Sequence, residues 1–183
     1  MATPSRKALL IVDMINTLDF PEGKDLLKQA LPISQNIAKL KARFKKKKLP
    51  VIYVNDNFDL WTSDWKAVYQ ICSAHTSLGQ ELAEVLKPDD DDYFVLKPKH
   101  SGFYLTPLEM LLDELKVNEI VITGVAGNIC VLFTAHEAHM REYKVIVPRD
   151  TMASNTKRAN DFALEQLSKG LGIATTPSAR IRV

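Results

Sequence analysis

The chain has 183 residues, of which 46% are hydrophobic and 25% are charged, and its formal net charge at pH 7 is +2. These values are typical of a globular protein and exclude a disordered chain. The nearly balanced charge gives no support to nucleic-acid or membrane binding, so we expect neither among the partners. The length predicts a single domain over residues 1–183.

The sequence contains no pattern typical of a secretory signal or a membrane span. The N-terminal sequence MATPSRKALLIVD holds an apolar run of only five residues before an acid, which is too short for a signal-peptide core. The longest apolar runs are also far shorter than the roughly 20 residues of a membrane span. Cys72 and Cys130 are distant in sequence and do not make a disulfide framework. We therefore expect a cytoplasmic protein.

Strand-like and helical patterns alternate along the chain. Short apolar runs rich in β-branched residues predict strands buried on both faces. These runs are residues 7–12, 51–54, 93–96, 119–123 and 144–147, with a last short strand near 171–174. Helical periodicity is found at residues 33–44, 107–115, 129–142 and 157–167. The pattern predicts an α/β fold, a three-layer αβα sandwich with a mostly parallel, Rossmann-like sheet of about six strands.

Three polar residues follow predicted strands, at the sheet edge where binding sites form in this architecture. They are Asp13, Lys97 and Cys130. Each also has a structural interpretation: a buried small hydrophobe for the cysteine, a turn residue for the aspartate and a solvated loop charge for the lysine. Their coincidence at one edge favours a reactive site. There the helix dipole and Lys97 would favour a thiolate at Cys130, and Asp13 could act as a general base.

Four segments in order resemble the isochorismatase-like cysteine hydrolases, which include isochorismatases, nicotinamidases and N-carbamoylsarcosine amidases. The segments are ALLIVDMINTLDF, VLKPKHSGFYLTPLEMLL, VITGVAGNICVLFTAHEA and VIVPRDTMAS. The resemblance implies the isochorismatase-like hydrolase fold and a catalytic triad of Asp13, Lys97 and Cys130. It further implies a cis peptide bond between Val125 and Ala126 and an oxyanion hole formed by the N–H groups of Ala126 and Cys130.

The implied reaction is covalent acyl transfer on a small-molecule substrate, with hydrolysis of an amide, carbamoyl or ureido C–N bond. Three alternatives stay open: a vinyl-ether hydrolase of isochorismatase type, a catalytically silent binding protein, and a Cys–His pair formed with His100. We expect no cofactor. The family resemblance also implies a homo-oligomer, either a dimer or a tetramer.

The loop after the second predicted strand, VIYVNDNFDLWTSDW, lacks the two histidines that bind a metal ion in nicotinamidases. We therefore expect no transition metal, although Asp56 and Asp59 leave open either a hard-cation site or a solvated loop. Aromatic residues of this loop could line a substrate pocket or a subunit interface. The residues expected to line the pocket are Phe20, Asn55, Trp61, Phe103 and Tyr104.

Overall fold

The computed structural model describes residues 6–61 and 64–183, so residues 1–5 of the predicted domain and two residues of the loop after the second strand lie outside it. Within the described residues, five parallel strands form one sheet in the order β3-β2-β1-β4-β5. The strands are β1 (Lys7–Val12), β2 (Val51–Asp56), β3 (Tyr93–Lys97), β4 (Glu119–Gly124) and β5 (Lys144–Ile146).

Six α-helices connect or follow the strands in the described part of the chain. They are α1 (Gly23–Lys46), α2 (Trp65–Cys72), α3 (Gln80–Val85), α4 (Leu108–Glu114), α5 (Leu132–Met140) and α6 (Lys157–Glu165). A π-helical turn at Gly127–Val131 leads directly into α5, and another at Gln166–Gly170 follows α6. A short 3₁₀ turn lies at Ser178–Arg180. No helix among the described residues is both long and apolar enough to cross a membrane.

The central strand β1 shows why the sheet is covered on both faces. Its sequence KALLIV is apolar at consecutive positions, and successive side chains of a strand point to opposite faces. Leu10 and Val12 pack in a cluster with residues of α4, α5 and α6, whereas Leu9 and Ile11 pack in a second cluster with residues of α1, α2 and α3. This arrangement confirms the predicted three-layer α/β fold with a parallel sheet.

The predicted number of strands and several helix limits are wrong. The sixth strand expected near residues 171–174 forms only an isolated bridge between Ile146 and Ala174, because β5 itself ends at Ile146. Helix α1 begins at Gly23 rather than at residue 33 and continues through Pro32, since Leu26 and Ala30 extend its buried face. Helices α2 and α3 were not predicted.

Candidate active site

The carboxyl ends of four adjacent strands bring the candidate residues together. Asp13 directly follows β1, Asp56 is the last residue of β2, and Lys97 is the last residue of β3. Cys130 lies in the π-helical turn that follows β4. Because these strands are neighbours in the order β3-β2-β1-β4, their polar ends form one continuous group of side chains at the edge of the sheet.

Lys97 is the centre of this group. Its Nζ lies 2.9 Å from Asp13 Oδ2, 3.6 Å from Cys130 Sγ and 3.7 Å from Asp56 Oδ2, and it donates a hydrogen bond of 3.2 Å to the carbonyl oxygen of Lys99. The Lys97 side chain is fully buried. A buried ammonium is stable only when charged and polar partners replace its hydration, and these four groups do so.

Asp13 is fixed from two sides. Its Oδ2 pairs with Lys97, and its Oδ1 accepts a hydrogen bond of 2.8 Å from the backbone N–H of Asp56. The backbone of Asp13 has φ 50°, a left-handed conformation that aspartate and asparagine adopt more readily than most residues. The Cys130 thiol donates a hydrogen bond to the carboxylate. Asp13 is therefore positioned to accept the thiol proton.

The segment that carries Cys130 is held closely against the rest of the fold. Gly124 has φ 114°, and a Cβ at this position would lie 2.0 Å from the carbonyl oxygen of Val12. The peptide bond between Val125 and Ala126 is cis. The N–H of Gly127 donates to the carbonyl of Ala153 at 2.6 Å. Among the described residues, the Ala126 N–H donates no hydrogen bond.

Burial dominates the protonation of the three groups. Burial raises the pKa of Asp13, and the neighbouring Lys97 ammonium offsets only part of this effect. Burial, followed by the Asp13 carboxylate, raises the pKa of Cys130 to about 12, although Lys97 opposes the change. For Lys97, burial lowers the pKa, but Asp13, Cys130 and Asp56 together reverse this effect and raise it. Burial and Asp13 therefore oppose the thiolate expected from the helix start and from Lys97, and they favour the protonated thiol.

A cavity of about 410 Å³ opens above Cys130. Its size suits a small molecule rather than a peptide segment. Phe20, His100 and Asp56 line it together with Asp13 and Cys130. The further lining residues are Asn16, Thr17, Asp19, Glu22, Leu26, Phe58, Val125, Ala126, Ile129 and Asn155. Of the five residues expected in the pocket, only Phe20 lines this cavity.

The other four residues have different surroundings. Asn55 is buried and bonds to the N–H and carbonyl of Ile15 at 3.2 Å and 2.8 Å, because its side chain points into the fold one residue before Asp56. Phe103 is 4% exposed and packs against Tyr143 at 5.9 Å between ring centroids. Trp61 and Tyr104 line a separate cavity of about 540 Å³.

Asp56 joins this group of side chains, although the sequence left it open between a hard-cation site and a solvated loop. The same signal that marks Asp13, an acid at the end of a strand, also marks Asp56. Its Oδ1 accepts from the N–H of Phe58, and its Oδ2 faces Lys97 at 3.7 Å. Asp59 lines the other cavity instead. Asp56 and Asp59 therefore do not line the same cavity, and the facing ammonium disfavours a cation beside Asp56.

His100 lies on the rim of the cavity and is exposed. Its ring contacts Phe133, with the centroids 5.8 Å apart. Among the described residues, Cys130 has hydrogen-bonding contacts with Lys97 and Asp13 but none with His100. The geometry therefore favours the aspartate over the histidine as the proton acceptor.

Comparison with known proteins agrees with the observed fold and with the family resemblance of the sequence. The model of the isochorismatase domain matches residues 7–178. The chain belongs to the isochorismatase family. Members of this family are hydrolases, and the chain is accordingly a hydrolase that acts on a small molecule.

Three relatives illustrate the range of the isochorismatase family. The uncharacterized isochorismatase family protein YaaI of Bacillus subtilis (strain 168) is 46% identical over 175 residues, covering 96% of both chains. The ureidoacrylate amidohydrolase RutB of Methylobacterium radiotolerans is 29% identical, with 80% of this chain and 67% of the relative covered. The crystal structure of N-carbamoylsarcosine amidase from Thermoplasma acidophilum has 27% identity and a TM-score of 0.72, covering 97% of this chain and 99% of that chain.

Proposed function

We propose that this isochorismatase-family hydrolase is an amidohydrolase that cleaves a small amide, carbamoyl or ureido C–N bond through Asp13, Lys97 and Cys130. The single observation that carries the proposal is the position of the Lys97 ammonium, 2.9 Å from the Asp13 carboxylate and 3.6 Å from the Cys130 sulfur. Asp13 and Cys130 line an open cavity, and Lys97 lies buried behind them. Nucleophile, base and cation are thus within contact distance of one another, and the first two can contact a bound small molecule.

In the acylation step, Asp13 accepts the thiol proton of Cys130 while Sγ forms a bond to the carbonyl carbon of the substrate. The raised pKa of Asp13 suits this role, because a more basic carboxylate accepts the proton more readily. The N–H groups of Ala126 and Cys130 donate to the oxyanion that develops on the carbonyl oxygen. Asp13 then passes its proton to the leaving nitrogen as the C–N bond breaks, which leaves a thioester on Cys130.

In the deacylation step, Asp13 removes a proton from water, and the resulting hydroxide attacks the thioester carbon. The C–S bond breaks, the carboxylic or carbamic acid leaves, and the proton returns from Asp13 to Cys130. Lys97 stays protonated throughout and stabilises the negative charge as it moves between the carboxylate and the sulfur. The three groups therefore complete one cycle without a net change in their own protonation.

A panel of small amides, ureides and isochorismate tests the proposal. The readout is release of ammonia from the amides and ureides, and of the product of vinyl-ether cleavage from isochorismate. We expect turnover of amides or ureides that Cys130→Ala and Asp13→Asn both abolish, while His100→Ala retains it. Activity that survives in Cys130→Ala but is lost in Asp13→Asn would instead identify a vinyl-ether hydrolase. Loss in His100→Ala together with survival in Asp13→Asn would overturn the triad.

We also propose a homo-oligomer in the cytoplasm, as a dimer or a tetramer. Support for assembly comes from exposed apolar side chains near the Trp61 cavity: Trp61 is 76% exposed and Leu105 is 80% exposed. Large apolar side chains that share one surface are typical of protein interfaces. Sedimentation velocity should give the mass of two or four chains, and a mass of one chain at micromolar concentration would contradict the assembly.

A further inference from the structure

The cavity above Cys130 has an unbalanced set of charged groups. Of the described residues that line it, four are acidic: Asp13, Asp19, Glu22 and Asp56. Within the described lining, His100 is the remaining titratable base and none of the residues is a lysine or arginine. Lys97 lies behind the cavity and is fully buried, where it contacts both Asp13 and Asp56. One ammonium therefore faces two carboxylates, and the two rim acids add further negative charge.

Asp56 is the acid in this set that a substrate would reach beside the thiol. Its side chain is 39% exposed, whereas that of Asp13 is 6% exposed. Asp13 is fully engaged by Lys97, by the N–H of Asp56 and by the thiol. Among the described residues, the Oδ2 of Asp56 contacts Lys97 alone, at the longer distance of 3.7 Å. It is therefore available to pair with a positive group on a ligand.

We propose that this cavity selects substrates that carry an ammonium group, accepts neutral ones and rejects those that carry a carboxylate. The inference rests on the proposed hydrolysis at Cys130 and names its substrate class. A carboxylate in the cavity would lose its hydration without gaining a lysine or arginine partner and would face at least one unneutralised acid. A cation gains from the same field, because a cleft with one sign of charge concentrates the opposite sign.

The size and neighbours of the cavity limit this selection to compact substrates. The volume of about 410 Å³ holds a small molecule whose amide reaches Cys130 while its ammonium lies near Asp56 or the rim. A second cavity, lined by Lys24 as well as Asp19, adjoins it through Thr17 and Phe20. A longer substrate would extend toward that lysine, so the test uses short molecules that remain in the first cavity.

The modification rates of charged thiol reagents report the electrostatic field at Cys130, and this measurement requires no catalytic turnover. Three methanethiosulfonates are compared at pH 8, where histidine is ordinarily neutral: cationic trimethylammonium-ethyl, neutral methyl and anionic sulfonatoethyl. Rates of Cys130 modification are followed by mass spectrometry and divided by the rates of the same reagents with 2-mercaptoethanol. Cys130→Ala gives the background from Cys72. We expect the normalised cationic rate to exceed the anionic rate by about tenfold or more.

Matched variants assign the effect to named residues. Asp56→Asn keeps an oxygen that can accept from Phe58 and removes one charge, and it should lower the cationic preference by at least about threefold. Asp59→Asn removes the same charge from the same loop but lines the other cavity, so the ratio should stay within twofold. The double variant Asp19→Asn/Glu22→Gln changes two exposed positions where folding is not at risk. It is a second test and should likewise lower the cationic preference. An anionic rate equal to or above the cationic rate in the wild type would overturn the inference.

Turnover of three matched amides separates this inference from the proposed function. Butanamide, 4-aminobutanamide and succinamate differ only in the group at the far end of the chain. We expect kcat/KM to be highest for 4-aminobutanamide and lowest for succinamate. Turnover of succinamate that equals or exceeds that of 4-aminobutanamide would refute the charge selection but not the proposed amidohydrolase function. If no amide is turned over but the cationic thiol reagent still modifies Cys130 fastest, the amidohydrolase function is refuted and the charge selection is not.

Discussion

Replacement of Asp13 by asparagine should make Cys130 more reactive toward alkylation while it abolishes hydrolysis. The wild-type thiol is protonated because burial and the Asp13 carboxylate raise the pKa of Cys130 to about 12. Asparagine has nearly the same shape and tolerates the φ of 50° at this position, so the backbone need not move. The substitution removes the anion and leaves Lys97 Nζ at 3.6 Å from the sulfur. The thiolate then has a cation beside it, and the Asp13 carboxylate no longer competes for that cation.

The size of the effect follows from the lost charged hydrogen bond. Such a bond contributes about 1.5–3 kcal/mol, which corresponds to a fall of about one to two units in the thiol pKa. The thiolate fraction at pH 7.5 rises about 10- to 100-fold, and the lower nucleophilicity of a less basic thiolate cancels about half of this on a logarithmic scale. Alkylation should therefore become about 3- to 10-fold faster, whereas loss of the general base should lower the hydrolysis rate by about 10²-fold or more.

Iodoacetamide modification of Cys130, followed by peptide mass spectrometry, measures the first effect, and turnover of the best amide measures the second. Lys97→Met supplies the opposite control, because removal of the cation should slow alkylation. That variant leaves a buried carboxylate unpaired and should lose about 3–5 kcal/mol of stability, so its fold must be checked by circular dichroism. Alkylation of Asp13→Asn that is no faster than that of the wild type would contradict the effect of Asp13 on the thiol pKa, and surviving hydrolysis would contradict its role as the base.

Two further predictions concern stability. Gly124→Ala should lower the free energy of unfolding in urea by about 3 kcal/mol or more, because its Cβ would lie 2.0 Å from the Val12 carbonyl oxygen at φ 114°. Gly172→Ala, at φ 67° with open space around it, should cost only about 1 kcal/mol, and equal losses would contradict the steric argument. The pKa of Cys130 is higher in the folded chain, about 12 against 9.0, so its contribution to stability is complete below pH 9 and is lost between pH 9 and 12. The free energy of unfolding of the wild type relative to Cys130→Ala should fall across that window by up to about 4 kcal/mol, and a constant difference would disprove the shift.

The strand ends were predictable from the sequence because each strand is a continuous apolar run that stops at a polar residue. Asp13 and Lys97 follow or end such runs, and parallel strands bring their ends to one edge. The order of the strands also explains why a lysine on β3 reaches an aspartate after β1: only β2 lies between them, and the Lys97 side chain is long enough to pass its end.

The pocket walls were not predictable because a strand end gives no information on which way a loop side chain points. Asn55 and Asp56 are adjacent, yet the first bonds to Ile15 inside the fold and the second lines the cavity. Phe103 follows Lys97 closely in sequence but packs in the core. These orientations depend on tertiary contacts.

The protonation of Cys130 was not predictable for a similar reason. The sequence shows a cysteine near a helix start and a lysine, and both favour a thiolate. It does not show that burial and an adjacent carboxylate oppose them, and these two effects are the larger ones in the structure. Helix α1 illustrates the same limit in the fold, since its buried face continues through Pro32 to Gly23.

The proposed hydrolysis requires a covalent intermediate on Cys130, and mass spectrometry after rapid acid quench detects it. The enzyme is mixed with its best amide or ureide substrate and digested, and the peptide that contains Cys130 is compared with the peptide that contains Cys72. We expect the mass of the Cys130 peptide alone to increase by the mass of the acyl group, and the adduct to form no more slowly than turnover. Turnover that persists in Cys130→Ala, with no adduct on the wild type, would contradict the covalent intermediate.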